Sequence, residues 1–252
     1  MIDIDSPLGL MVWLINFFAD KFGNKAILKG GMELRLLDCP RSTNDIDYTF
    51  ASFSSKKDVR DLVLDALNQV PDLKIEHLLN SKCLRCFCEH NGIRVQIEIN
   101  AAMECKSQEL TTATLARATN QLPRIVRGMR FDLSLSHKIA AWNERRLIRD
   151  LYDCYFMVEV LAVHPHIQTL RERLAKSEIR SGRKTKTVSM TISDLIEALT
   201  TTLAGLSQES VVEQMQDYLA TVELPGLEKK IRIGIKKLLQ ELGEIGSFEL
   251  RQ

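Results

Sequence analysis

The dipeptide Asn91-Gly92 constrains the fold of this chain more than any other pair of neighbours. It separates residues 83–90 from 93–100, two runs rich in strand-forming side chains. Asn-Gly in that setting specifies a two-residue type I′ turn, whose two central positions both need positive φ. The turn sets the register, so that residues whose numbers sum to 183 face each other. Strand alternation then sorts the hairpin into two faces. Ile93, Val95, Ile97 and Ile99 share one with Leu84, Cys86, Cys88 and His90, which is the core face. The other carries Arg94, Gln96, Glu98 and Asn100 beside Cys83, Arg85, Phe87 and Glu89, with Arg85 across from Glu98.

The same register decides how the cysteines read. Cys83-x-x-Cys86-x-Cys88-x-His90 has the ligand types of a zinc cluster. Alternation, however, puts Cys83 on the face opposite the others and leaves three ligands among isoleucines, where cysteine serves as a small hydrophobe. The six cysteines do not follow the spacing of a secreted disulfide framework. At 252 residues, 45% hydrophobic and 27% charged, the chain can bury a core and has room for two domains. A formal net charge of +1 excludes binding nucleic acid through overall charge, so any basic surface is local. Residues 8–18 are apolar but too short to span a membrane, and they follow Asp3 and Asp5 without a basic leader. They read as a buried helix, and the chain as cytoplasmic with no membrane partner.

The chemistry-bearing feature lies upstream. Ala26-Ile27-Leu28 leads into Lys29-Gly30-Gly31, and thirteen residues later comes Asp45-Ile46-Asp47. The first reads as a strand entering a turn where missing Cβ atoms let backbone N–H groups approach a polyphosphate. Asp45 and Asp47, two apart on a strand, point the same way. Paired carboxylates suit magnesium, or manganese, bridging to substrate phosphate. The combination predicts metal-dependent chemistry on a nucleoside triphosphate.

This stretch resembles the nucleotidyltransferase signature, and more narrowly the AbiEii/AbiGii toxin family. The resemblance rests on Lys29-Gly30-Gly31-Met32-Glu33-Leu34-Arg35 and Arg41-x-Thr43-x-Asp45-Ile46-Asp47. The family pattern has Thr-Ala where Met32-Glu33 stands, and serine more often than Thr43. A second match lies in Lys138-Ile139-Ala140-Ala141 followed by Arg149-Asp150-Leu151-Tyr152-Asp153, with Cys154 in place of a leucine. The resemblance implies an α+β chain: a nucleotidyltransferase mixed sheet flanked by helices over residues 1–120, then a helical domain over 121–252 that contributes Lys138 and Asp150. It implies Asp45, Asp47 and Glu98 as metal-holding catalytic acids. It also implies Lys138 and Asp150 at the triphosphate or acceptor, and Lys29, Gly30, Gly31, Arg41, Thr43, Arg149 and Asp153 as nucleotide-binding residues. The implied activity moves NMP from an NTP to an acceptor, often a transfer-RNA end in this family, with a cognate antitoxin as partner. Transfer to a protein or small molecule, and a nucleotide-binding module without catalysis, are the rival readings.

Elsewhere the pattern predicts a helix over 11–22, a strand over 26–29, a short helix over 31–38 and a strand over 46–51. A helix over 56–70 and a strand over 74–79 precede the hairpin. From residue 110 the chain reads as helical throughout, with a linker at 122–123 and a long helical region over 134–163. On spacing alone, Arg146, Arg149, Asp150 and Asp153 read as ion pairs within one helix. Residues 171–186 hold seven basic and two acidic side chains and read as an exposed, mobile loop, suited to RNA phosphates. Three amphipathic helices are predicted over 191–206, 208–222 and 227–242.

Overall fold

The structure is a computed structural model and describes residues 4, 6–181 and 184–249. The chain divides into two compact units between Arg130 and Phe131. In the first unit, helix α1 (Pro7–Phe22) starts where the Ser6 hydroxyl accepts the Gly9 N–H at 3.1 Å, with Pro7 in the first turn. Then follow β1 (Ala26–Lys29), α2 (Gly30–Leu36), β2 (Asp45–Ala51), α3 (Lys56–Leu67) and β3 (Lys74–Leu79). After the hairpin strands β4 (Leu84–His90) and β5 (Ile93–Ala102) come β6 (Ser107–Thr111), α4 (Ala113–Ala118) and β7 (Ile125–Met129). The strands form one mixed sheet in the order β3-β4-β5-β2-β1-β7-β6, with β2 parallel to β5 and β1 parallel to β7.

Helix α1 covers one face of this sheet. Phe18 is fully buried, its ring 5.0 Å from Tyr48 and 6.2 Å from Phe50. Ile46, Tyr48 and Phe50 take the core side of β2, so alternation turns Asp45 and Asp47 to the other. The hairpin has the expected turn and register: Asn91 and Gly92 sit at φ 49° and 78°, and pairing runs from Leu84 opposite Ile99 to His90 opposite Ile93. Cys86 and Cys88 are fully buried on the core face, where burial pushes both thiols up to about 12. Cys83, assigned by alternation to the polar face, is buried as well, just before β4 begins. A thiol held protonated is a poor nucleophile. In native protein at pH 8, a thiol-disulfide reagent is therefore expected to titrate at most the partly exposed Cys105 within minutes, and all six cysteines after unfolding. Rapid modification of Cys86 or Cys88 would contradict this packing.

Three expectations need correction. The chain does not turn wholly helical at residue 110, because β6 and β7 complete the sheet and carry the first unit to Arg130. The parallel pairing of Leu28 with Gly128 spans a separation that no local pattern reveals. The long helical region over 134–163 is broken: α5 (Phe131–Arg145) stops at Arg146, whose φ of 57° ends the helix, and α6 (Ile148–Tyr155) continues into a π-helical turn at Phe156–Val160. The basic segment is not a plain loop either. It contains the end of α7 (Ile167–Leu174) and an antiparallel ribbon, β8 (Ser177–Ser181) with β9 (Lys184–Val188); Gly182 and Arg183 lie outside the described residues.

The second unit closes with α8 (Ile192–Gly205), α9 (Gln208–Met215) and α10 (Leu227–Glu249). A capping box of Thr191 with Asp194 opens α8, and one of Ser207 with Ser210 opens α9. Ile231, Ile235, Leu238 and Leu242 form the fully buried stripe of α10. Gly234 lets that helix pack closely on α6, since a Cβ there would lie 2.9 Å from Tyr155 Cα. Among the described residues no helix is long and apolar enough to cross a membrane.

Candidate active site

The turn from β1 into α2 is built around absent side chains. Lys29 ends β1 fully extended, and Gly30 then takes φ 77°, a left-handed value that disfavours every residue with a Cβ. A Cβ on Gly30 would overlap Asp47 Oδ2, and one on Gly31 would lie 2.6 Å from Thr43 Oγ1. Gly30 therefore makes room for Asp47 of the acidic strand, and Gly31 for Thr43 just before it. Glu33, which departs from the family pattern, is buried with Oε1 toward Gly128 of β7, on the flank of β1 away from β2. Its charge does not face the aspartates.

The acids form a row. Parallel register sets Asp45 beside Gln96 and Asp47 beside Glu98 on the sheet face opposite α1. One oxygen of each carboxylate is anchored. Thr43 Oγ1 donates to Asp45 Oδ1 at 2.8 Å, and Lys29 Nζ lies 3.5 Å from Asp47 Oδ1. Glu98 Oε1 accepts from Arg85 Nε at 3.0 Å, from Arg85 Nη2 at 2.6 Å and from Gln96 Nε2 at 2.9 Å. Asp45 Oδ2, Asp47 Oδ2 and Glu98 Oε2 accept no hydrogen bond from the described residues. Hard oxygen donors held from behind and open in front have the chemistry that magnesium or manganese takes. As placed, no three acidic, histidine or cysteine side chains among the described residues close on one point, Glu98 being drawn toward Arg85. Arg41 is buried and donates from Nη1 to the Ser42 carbonyl at 2.9 Å, bracing the segment that carries Thr43.

The second unit gathers its own charged cluster. Lys138 Nζ meets Asp153 Oδ2 at 2.6 Å, with Asp153 1% exposed. Arg145 forks onto Asp150, Nη2 to Oδ1 at 2.6 Å and Nε to Oδ2 at 3.2 Å, and burial of Asp150 pushes its carboxyl above the ordinary aspartate value against the pull of Arg145. Arg149 turns elsewhere, donating to the Tyr218 hydroxyl at 3.0 Å. The pairs are thus between α5 and α6, not within one helix. The partners Arg145, Gln96 and Tyr218 escaped sequence reasoning; only Gln96 had a visible signal, its place two residues before Glu98 on the same face.

A mixed seven-stranded sheet flanked by helices, with Gly-Gly beside a strand bearing Asp-x-Asp, is the architecture of nucleotidyltransferases. The model of one family, described as the nucleotidyl transferase AbiEii toxin of type IV toxin–antitoxin systems, matches residues 14–232. The chain belongs to this family and is a nucleotidyltransferase toxin of the AbiEii type. Among solved structures it is similar to MenT4, a nucleotidyltransferase toxin from Mycobacterium tuberculosis H37Rv, at 14% identity and a TM-score of 0.60, over 94% of this chain and 87% of that one. JHP933 from Helicobacter pylori is similar at 14% identity and a TM-score of 0.50, over 95% of both chains. At such identities the likeness concerns the fold. A search of curated protein sequences finds no match.

Proposed function

We propose that this toxin transfers NMP from an NTP to the end of a transfer RNA in a reaction that needs a divalent cation. The observation that carries the reading is the register setting Asp47 beside Glu98, with Asp45 on the same face next to the Gly30-Gly31 turn. Asp45, Asp47 and Glu98 would hold the cation through their open oxygens. Bound there, it would supply a lowered pKa at the acceptor hydroxyl and neutralise charge on the departing pyrophosphate. Gly30 and Gly31 leave the triphosphate free to approach the backbone, and Thr43 and Lys29 keep the two aspartates aimed. Lys138 would offset charge on the phosphates, with Asp153 and the Arg145–Asp150 fork holding α5 against α6 behind it. Residues 1–130, which hold the whole seven-stranded sheet, form the catalytic part in this reading, and 131–252 the largely helical part. The basic segment over 171–186 would provide sequence-independent RNA contacts, which salt weakens steeply. A cognate antitoxin would hold the activity in check.

The test is incubation with each α-labelled NTP, magnesium and total cellular RNA, with Asp45→Asn/Asp47→Asn as control. Label entering transfer-RNA-sized material with the wild type alone is the expected result. Label entering protein or a small molecule instead would replace the acceptor but keep the reaction. Triphosphate binding without transfer to any acceptor would leave only the non-catalytic reading.

A further inference from the structure

Glu98 is tied more firmly than the two aspartates beside it. Its Oε1 alone takes two N–H groups from Arg85 and one from Gln96, at 2.6–3.0 Å. Arg85 stands directly across from Glu98 in the hairpin, so the Asn91-Gly92 turn dictates the pairing and no mobile loop has to close to make it. Neither side chain is fully buried: Arg85 is 34% exposed and Glu98 25%. Asp47 has a cation of its own, Lys29. Two cationic side chains therefore face three carboxylates, supplying from the protein part of the positive charge that a metal would bring.

We propose that Arg85 is a built-in counter-ion for Glu98 that competes with divalent cations, so that the site takes free metal weakly and fills when the nucleotide adds its own negative charge. The inference rests on Asp45, Asp47 and Glu98 being the metal-holding set. Its physical basis is twofold. The guanidinium repels a divalent ion arriving a few ångströms away, and its hydrogen bonds engage an oxygen that the ion would otherwise draw in. A triphosphate reverses the balance by adding several negative charges at the same place. Lysine at position 85 would keep the charge but lose the fork, whereas methionine would lose both.

The test measures Mn2+ binding by electron paramagnetic resonance of the free ion, on the full chain. It is done without nucleotide and with the α,β-methylene analogue of each NTP. Arg85→Met is expected to tighten nucleotide-free Mn2+ binding by about tenfold, the scale of one unit charge near a partly exposed site. Arg85→Lys should stay within a factor of about two of wild type because the charge remains. On a Glu98→Gln background Arg85→Met should still tighten binding through the lost repulsion, but by less than on the wild-type background, since no carboxylate oxygen is freed. A clamp whose role is only structural would loosen Mn2+ when removed, so tighter binding distinguishes the two. Unchanged or weaker binding in Arg85→Met, or in Arg85→Gln should the methionine variant not fold, overturns the proposal. Wild type binding free Mn2+ as tightly as it does with an analogue overturns it too. If wild type binds no Mn2+ even with the analogues, the metal reading itself fails. If it binds with an analogue and the Arg85 variants do not tighten, only the counter-ion role fails.

Discussion

Gly30→Ala is expected to slow nucleotidyl transfer by about a hundredfold while the protein stays folded. Two effects are superposed at this position and a control separates them. The first is backbone strain: φ of 77° for alanine costs about 1–2 kcal/mol. In a chain of this size that lowers Tm by roughly 2–8 °C. The second is steric, because the new Cβ would overlap Asp47 Oδ2 and also lie 3.1 Å from the Asp47 Cβ. A carboxylate is a movable end, so the cheap response is rotation of Asp47, which swings its open oxygen away from its place in the row. A displacement of about 1 Å in a reacting constellation costs on the order of a hundredfold in rate. Gly92→Ala supplies the control, since Gly92 has φ of 78° and nothing within 4 Å of its missing Cβ. Thermal melts should therefore show similar losses for the two variants, and labelled-NTP transfer should fall only for Gly30→Ala. Equal transfer rates in both would mean that Asp47 Oδ2 need not occupy the position next to Gly30.

How much of the fold is legible in the sequence follows the range of the interactions involved. The hairpin was legible because a type I′ turn is a matter of two residues and the register propagates from it; Arg85 opposite Glu98 came with it. The aspartate pair was legible because alternation on a strand is equally local. Strands β6 and β7 were not, since each has five residues and Ile125, the first apolar one of β7, is 62% exposed. What makes Ile125–Met129 a strand is its seat beside β1, where Gly128 lies under Leu110 with no room for a Cβ. The charged cluster of the second unit failed in the same way. The spacing of Arg146, Arg149, Asp150 and Asp153 suggested a helix pairing with itself, but the reversal at Arg146, a non-glycine residue at φ 57°, sets α6 against α5 and redistributes every partner. The identities of the charged residues were right there and their pairing was not, because pairing depended on one backbone conformation that an arginine seldom adopts.

Lys138→Met is expected to destabilise the second unit strongly, and its repair decides what Lys138 does. Asp153 is 1% exposed, and Asp150 close by is nearly as buried, so removing Lys138 takes a cation from beside two buried carboxylates. Breaking a buried pair from one side costs about 3–5 kcal/mol, chiefly through the charge left behind. At roughly 2–4 °C per kcal/mol, Tm should drop by about 6–20 °C. Replacing the partner as well, in Lys138→Met/Asp153→Leu, removes the buried charge that Lys138 offset and should recover most of that loss, as buried pairs exchanged for apolar side chains usually do. Transfer activity then separates from stability. If Lys138 reaches the triphosphate, the double variant is stable and inactive, because no cation has been restored. If Lys138 serves only to neutralise Asp153, the double variant regains activity together with its Tm. The expected result is the first, since a lysine 15% exposed keeps part of its surface toward solvent while its ammonium holds Asp153. A double variant with wild-type transfer would move Lys138 out of the catalytic set and leave the phosphates to Lys29 and the Gly30-Gly31 turn.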